Sequence, residues 1–515
     1  MIKDLAVLVA VLALTVVSGL RWLRVSQREH YLPGRAGRIA RLWYARSGQD
    51  AMGELVAVAL AVLALVPFDT AWLAAIVGAG IGALVPTGLS VRGRTSKLAW
   101  TGRLRRLAAG WIVLVLVLGA LLAWLVGPPA TALVAVSVPL TVDAAAWFMG
   151  LVEKRLSAPF VAKARKRLAR VRPSVVAITG SYGKTSTKGY VAHLLARSRA
   201  VVASPASFNN RLGLSRAVND GLAEGTEVFV AEMGTYGPGE IRELCELFPP
   251  DVAAITTIGE AHLERMGSTE VILAAKSEIT ERARAVVLPV DEPGLAALAE
   301  RCRADGKRVV TCSVTGLDAD VVVDLAAGTA TLAAPDRTDG PVTLELGEGV
   351  AHGVNLAVAL GIALALDVEP EALRGRLTGL PRAAHRAEVQ RTAEGLTVID
   401  DTYNANPVGA SAALTEAAGL VGEGGRLVLV TPGMVELGPV QVERNAALGR
   451  QAAEVGALVV VVGRTNRSAL VAGITAGGGE YEVVERRDQA VAVATRVAGA
   501  GGVILYENDL PDHYP

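Results

Sequence analysis

The chain has 515 residues, 51% of them hydrophobic, and a formal net charge of only +1. The near-neutral sum hides a division: residues 1–172 carry 22 Lys/Arg against 7 Asp/Glu, and the remainder carries 29 against 43. A split of this kind puts one half beside anionic lipid and the other in solution, and it excludes a chain built throughout as a basic nucleic-acid binder. The length leaves room for several domains. Cys245, Cys302 and Cys312 have no metal-ligand spacing and read as reduced packing residues of a cytosolic portion; nothing demands that Cys302 and Cys312 pair.

Five apolar stretches open the chain, at 5–20, 55–66, 71–85, 107–126 and 130–152. The fourth has no charge over twenty residues, the length of a membrane span. The second and third are short and read as a tight helical hairpin. The first is followed by no small-residue cleavage site, so it reads as a retained helix rather than a signal peptide. Arginine crowds the segments 21–46 and 92–106, whereas the connections 67–69 and 127–129 carry no basic residue. Positive loops stay in the cytoplasm. Five spans then leave the N-terminus outside and everything after 152 inside; the competing count is four, with the first stretch interfacial. Asp143 lies in the fifth stretch, where an acid is a functional candidate by default, though a place near a helix end or beside an arginine explains it too. Residues 154–172 form a basic connector suited to anionic headgroups.

Val175 to Ile178 form an apolar, β-branched run suited to a buried strand, and "GSYGKTSTK" follows it. Gly180 and Gly183 allow close backbone approach, and a helix is expected from about Ser186. Backbone N–H groups at such a helix start cradle phosphate, a lysine reaches the outer phosphates, and a threonine hydroxyl can hold Mg²⁺. Gly180, Ser181, Gly183, Lys184, Thr185 and Ser186 are therefore the candidate ATP cradle, although two residues rather than the usual four separate the glycines. Beyond it, apolar strands alternate with helical patterns. Residues 307–348 read as a small β insert, and a second α/β unit has strands near 396–400, 426–431, 457–462 and 502–507.

Six stretches in order carry a resemblance: "GSYGKTSTK", "SFNNRLGLSRAV" at 207–218, "AEMGTYGPGEI" at 231–241, "ITTIGEAHLERMGSTEVILAAKSEI" at 255–279, "HRAEV" at 385–389 and "VIDDTYNANPVGA" at 398–410. Over roughly 173–450 the chain resembles the Mur ligase family, above all its D-alanyl-D-alanine-adding branch. The apolar stretches and charge give a membrane-helical region (1–153) and a basic connector (154–172); the resemblance implies, after them, a P-loop α/β central domain (173–383) and a Rossmann-like C-terminal domain (384–515). It implies ATP-dependent amide formation through an acyl phosphate. Carboxylate and triphosphate are both anionic, so cations must bring them together. By resemblance, Lys184 contacts phosphate, Thr185 and Glu232 hold Mg²⁺, and His262 lies near a second Mg²⁺. Lys276 matches a lysine that is carbamylated in most members. Asn355 matches the adenine contact, although the His-Asn usually found three positions earlier is Ala351-His352 here. Arg386 matches an arginine that reaches the γ-phosphate when the C-terminal domain closes. Asp401 matches the ribose-binding aspartate, with Tyr403, Asn404 and Asn406 shaping the same edge.

Two departures bear on the substrate. The P-loop begins about twenty residues after the last apolar stretch, a linker's length, so no uridine-sugar-binding domain fits between them. The branch's basic Lys-Gly-Ser-Arg type motif is replaced by "YENDLPDHYP", whose Glu507, Asp509 and Asp512 read either as favouring a cationic or amine-bearing incoming group or as an idle acidic surface run. Three functions follow. The first is a membrane-anchored amide ligase acting on small-molecule or peptide carboxylates and amines, the acceptor being an amino acid, peptide or polyamide. The second is a peptidoglycan-precursor ligase with a lipid- or nucleotide-linked acceptor. The third is a transporter or scaffold regulated by a P-loop domain. Oligomeric state is not legible.

Overall fold

The structure is a computed structural model that describes all residues except 1, 67, 92–97, 207, 334–339, 348–351, 382–387, 393–394, 403–404 and 511–512. The apolar stretches fold as α1 (Ile2–Arg28), α2 (Arg35–Arg46), α3 (Gly48–Leu63), α4 (Ala71–Leu84), α5 (Gly102–Leu125), α6 (Ala132–Val136) and α7 (Val138–Leu156). Among the described residues only α1 and α5 are singly long and apolar enough to cross a bilayer. The segment leading into α6 and α7 makes a third candidate but bends by 74° at its break. The five-span expectation is corrected by length: α3 has 16 residues and α4 has 14, about 24 Å and 21 Å at the helical rise, short of a hydrocarbon core of about 30 Å. These two form a close hairpin, for a Cβ on Gly78 would lie 3.0 Å from the Ala57 carbonyl oxygen. Large apolar side chains stay exposed around the bundle, including Leu5, Val9, Val113, Val117 and Trp124. An outer face of that kind suits lipid.

Asp143 resolves as a cap. Its two carboxylate oxygens accept from Ala36 N at 3.0 Å and Gly37 N at 2.8 Å, in the first turn of α2. The residues 29–46 thus form a collar fixed at the end of the bundle. The connector is α8 (Ala158–Val171), and its two faces differ. Val161, Ala164 and Leu168 are buried, and Arg167 donates to the Asn219 carbonyl at 2.9 Å. Lys163, Arg165, Lys166 and Arg170 are exposed on the other side.

Next come β1 (Ser174–Thr179), α9 (Lys184–Leu195), β2 (Val201–Ala203), α10 (Arg211–Gly221), β3 (Val228–Glu232), α11 (Glu240–Leu247), β4 (Val252–Ile255), α12 (Leu263–Met266), α13 (Thr269–Ser277), β5 (Ala285–Pro289), α14 (Pro293–Ala304) and β6 (Arg308–Ser313). Then follow β7 (Val321–Asp324), β8 (Thr329–Leu332), β9 (Val342–Glu345) and α15 (Gly353–Ala365). One nine-stranded sheet runs β2-β3-β1-β4-β5-β6-β7-β8-β9. The stretch at 307–348 is therefore no separate insert: β6 pairs parallel with β5, β7 continues parallel from β6, and β8 and β9 extend the edge antiparallel. β1 lies between β3 and β4, where connections diverge to either side and a crevice opens at the strand ends.

The last unit comprises β10 (Glu388–Arg391), β11 (Thr397–Asp401), α16 (Pro407–Gly419), β12 (Leu427–Thr431), α17 (Gln441–Glu454), β13 (Leu458–Val462), α18 (Arg467–Ala476), β14 (Tyr481–Val484), α19 (Arg487–Ala498) and β15 (Val503–Glu507). Its six strands run β10-β11-β15-β12-β13-β14, parallel except for β10. The tail is not a surface run. Glu507 is wholly buried, Asp509 pairs with Arg487 at 2.5 Å, and His513 is wholly buried against Glu29 of the collar at 3.0 Å. Trp43 Nε1 donates to the His513 carbonyl at 2.8 Å. Asp512 lies outside the described residues. The three cysteines are free and buried.

Candidate active site

The turn after β1 is shaped by two glycines that no other residue replaces without strain. Gly180 has φ +150° and Gly183 φ +81°. A Cβ on the first would collide with the Thr256 side chain, and one on the second with the Asn355 carboxamide. α9 starts at Lys184, a little earlier than expected, so its first N–H groups face the turn. Ser181 Oγ donates to the Gly259 carbonyl at 3.1 Å and holds the loop against the strand-end segment after β4. Ser186 is buried one step inside the helix.

Lys184 Nζ donates to the Gly180 carbonyl at 2.6 Å, and Lys276 Nζ, from α13, donates to the same oxygen at 3.0 Å. Lys276 is only 2% exposed. Burial, and then the charge of Lys184, push its ammonium well below the usual lysine range. Glu232 ends β3 and is 1% exposed. Its Oε2 accepts from Thr185 Oγ1 at 3.0 Å and pairs with Lys188 Nζ at 3.0 Å, while Oε1 accepts from Asn209 Nδ2 at 3.2 Å. A threonine hydroxyl beside a carboxylate, below a glycine turn and a helix start, is an oxygen donor set that fits a hard cation carried by a triphosphate. Lys184, Thr185, Glu232, Lys276 and Asn355 are thus gathered around one turn.

His262 lies elsewhere in the cleft. It adopts φ 63°, and its Nδ1 is 2.7 Å from Glu436 Oε2 of the C-terminal unit. Tyr236 stands edge-on to the ring at 5.3 Å between centroids. Burial lowers the imidazole's affinity for a proton, against the pull of Glu436. Burial pushes the Glu436 carboxyl up, but hydrogen bonding to His262 and the Arg265 charge outweigh it and hold it well below the usual carboxylate range. Asp401 ends β11 in register with Glu507 of β15. Burial, with Asp401 alongside, holds the Glu507 carboxyl well above its ordinary value. Asn406 caps α16 by accepting from Gly409 N at 2.9 Å. Arg386, Tyr403 and Asn404 lie outside the described residues.

Sequence reading missed Lys188 and Glu436. Lys188 was available to it, since it follows Lys184 by four positions and so shares its helix face. Glu436 carries no local signal, because its partners are 174 and 401 positions away. A cavity of about 1020 Å³ lies between the collar and the carboxyl ends of β12, β13 and β15, with Trp43, Arg464, Arg487, Tyr506 and Tyr514 in its wall.

Known proteins match the two soluble units. The Mur ligase middle domain pattern matches residues 178–339, and the Mur ligase, glutamate ligase domain pattern matches 385–506. A UDP-N-acetylmuramoyl-tripeptide--D-alanyl-D-alanine ligase from Mycobacterium leprae (strain TN) is 34% identical over 351 residues, which is 62% of this chain and 67% of that one. The enzyme of that name from Bacillus subtilis (strain 168) is 32% identical over 281 residues, 54% of this chain and 60% of the relative. The crystal structure of MurF from Acinetobacter baumannii superposes with a TM-score of 0.55 at 25% identity, covering 68% of this chain and 76% of that one. MurF ligase from Thermotoga maritima in complex with ADP gives 0.54 at 26% identity, covering 68% and 80%. The chain belongs to the Mur ligase family, whose members are ATP-dependent ligases.

Proposed function

We propose that the protein is a membrane-anchored, ATP-dependent amide ligase, multi-pass in the cell membrane with its catalytic units in the cytoplasm. It activates an acceptor carboxylate as an acyl phosphate and couples it to an amine. The observation that carries the reading is the convergence of Lys184, Thr185, Glu232 and Lys276 on one glycine turn. Lys184 leaves the Gly180 carbonyl to contact phosphate, and Thr185 with Glu232 holds Mg²⁺. Bound Mg²⁺ supplies positive charge between two anionic reactants. Asn355 and Asp401 serve the nucleoside, Arg386 the γ-phosphate, and His262 the phosphoryl oxygens. A carboxylate oxygen bonds to the γ-phosphorus as ADP leaves. The amine nitrogen then bonds to the acyl carbon, phosphate departs with the C–O bond electrons, and the nitrogen loses a proton. Lys276, buried and inclined to be neutral, is suited to add carbon dioxide and become a carbamate anion.

We further infer that the acceptor is not a uridine-diphosphate sugar but an amino acid, a peptide or a growing polyamide. In support, α8 leads from the membrane helices directly into β1, and the collar residues Arg35 and Arg38 pair with Glu436 and Glu264 at the cleft. The exposed basic face of α8 suits anionic lipid. The identity with D-alanyl-D-alanine ligases favours the second reading, a peptidoglycan-precursor ligase on a lipid-linked or nucleotide-linked muramoyl peptide. The reading as a P-loop-regulated transporter or scaffold leaves Glu232, His262 and Lys276 unexplained. Phosphate release by the purified full chain in nanodiscs, assayed with a panel of amino acids and peptides, tests the proposal. UDP-N-acetylmuramoyl tripeptide with D-alanyl-D-alanine should yield no product. Robust ligation of that pair overturns the acceptor assignment, and no nucleotide turnover with any pair overturns the ligase.

A further inference from the structure

Three parts of the chain meet at one carboxylate. Glu436 leaves β12 on a left-handed residue with φ 65°. Its Oε2 faces His262 Nδ1 at 2.7 Å, its Oε1 pairs with the Arg35 guanidinium at 2.8 Å, and Arg265 closes the third side. Arg35 is in turn held by Glu29 at 2.9 Å, and Glu29 by His513 of the tail at 3.0 Å. Glu264 N donates to the Glu436 carbonyl at 3.1 Å, and Arg38 Nε donates to the Glu264 side chain at 2.7 Å. An aromatic line runs parallel to this chain of charges: His30 stacks on Tyr236 at 6.1 Å, and Tyr236 stands against His262. The Arg35 side chain is 9% exposed and that of Glu436 is 17% exposed. Charges so far from water hold their partners strongly and are costly to leave unpaired.

We propose that Glu436 is the positioning residue for His262 and that Arg35, from the membrane collar, holds Glu436 in place, so that the membrane region sets the geometry of the ligase cleft. Arg265 by itself supplies charge from the same unit as His262. Arg35 supplies it from the membrane side, and its planar guanidinium spans Glu29 and Glu436 at once. The consequence is mechanical: the cleft is assembled against the collar, not only between the two soluble units. The inference rests on the ligase reading for the role of His262, while the linkage itself does not.

Hydrogen–deuterium exchange on the full chain in nanodiscs, with no substrate present, tests it. Arg35→Ala should speed exchange roughly tenfold in the segments 260–267 and 434–441 and leave β12 and β13 protected. Arg35→Lys keeps the charge but cannot span Glu29 and Glu436 at once, and should recover only part of the protection. Arg106→Ala breaks an exposed pair with Glu153 inside the membrane region and should change neither segment. Unchanged exchange in Arg35→Ala shows that Arg265 suffices and overturns the proposal. Faster exchange throughout the C-terminal sheet shows loss of folding rather than of position, and also overturns it. Arg35→Ala should still bind a fluorescent ATP analogue, because the phosphate turn is untouched, with affinity reduced only by the displaced His262 contact. Failure of the wild-type chain to bind that analogue counts against the ligase reading and leaves the exchange result standing.

Discussion

Gly183 and Asn355 meet across the phosphate turn: a Cβ on the glycine would lie 2.9 Å from Asn355 Cγ and closer still to its oxygen. Helix α15 thus closes over the start of α9. The residue at 183 is also left-handed, at φ 81°. Gly183→Ala therefore carries both a backbone cost, of order 1–2 kcal/mol, and a displaced carboxamide. Nucleotide affinity should fall by about tenfold or more, with little change in the melting of the C-terminal unit. Titration with a fluorescent ATP analogue reads this directly, and wild-type affinity in the variant would remove the turn from the site.

Lys184→Ala should abolish turnover and leave the fold intact. The side chain ends on the Gly180 carbonyl rather than in an apolar core, so its loss opens no cavity. Removing a charge that serves the transferring phosphoryl group costs several kcal/mol of transition-state stabilisation, on the order of 10²–10³ in rate. Phosphate release by the variant near the wild-type rate, with any acceptor that works, would refute the assignment.

Lys276 gives a pH-dependent expectation. Its ammonium is held well below the usual lysine range, first by burial and then by Lys184. A neutral amine adds carbon dioxide and releases a proton, so carbamate formation is favoured as pH rises and reversed by acid. With ¹³C-bicarbonate, the wild-type protein should show a carbamate carbon resonance that fades on acidification and is missing in Lys276→Ala. A resonance that persists in the variant would assign the carbamate to another amine.

The legible and the hidden parts of this chain divide by sequence distance. β1, the glycine turn and α9 lie within 22 positions, and each announces itself through local chemistry: β-branched residues for the strand, glycines for the turn, a lysine and threonine at the helix start. Glu232 could be placed because it ends an apolar run. β7 to β9 misled because short valine- and threonine-rich strands look alike whether they form their own sheet or lengthen another. Their register to β6 is decided by packing under α15, which lies further along the chain. Five apolar stretches suggested five spans because hydropathy reports burial from water, not helix length or straightness. The tail was read as solvated because the partners of its His513, Glu29 and Trp43, lie more than 450 positions away.

Glu507 offers a stability test with a defined sign. Burial, and the neighbouring Asp401, raise its carboxyl well above the usual 4.5, so the folded state binds a proton that the unfolded state has released. Folding therefore weakens as pH climbs above about 4.5 towards the folded value. Glu507→Gln resembles the protonated acid in shape. It should melt at a higher temperature than wild type near pH 8, with the difference closing towards pH 4. A variant equal to or below wild type at pH 8 would mean that the ionised carboxylate is satisfied in the folded state.

Asp143 ties α7 to the first turn of α2, beside Arg35. Its carboxylate receives Ala36 N and Gly37 N, the residues next to Arg35, and a negative charge there also suits the positive end of α2. Asp143→Ala removes both hydrogen bonds and should cost about 1 kcal/mol, a fall of roughly 2–4 °C in melting for a unit of this size. Asp143→Asn keeps an accepting oxygen and should lose less. The fluorescence of Trp43, buried on the same helix, can follow the transition. Because the cap adjoins Arg35, the alanine variant should also speed exchange in the 434–441 segment, though by less than Arg35→Ala. Loss of melting temperature without any change at 434–441 would confine Asp143 to stabilising α2 and separate it from the cleft.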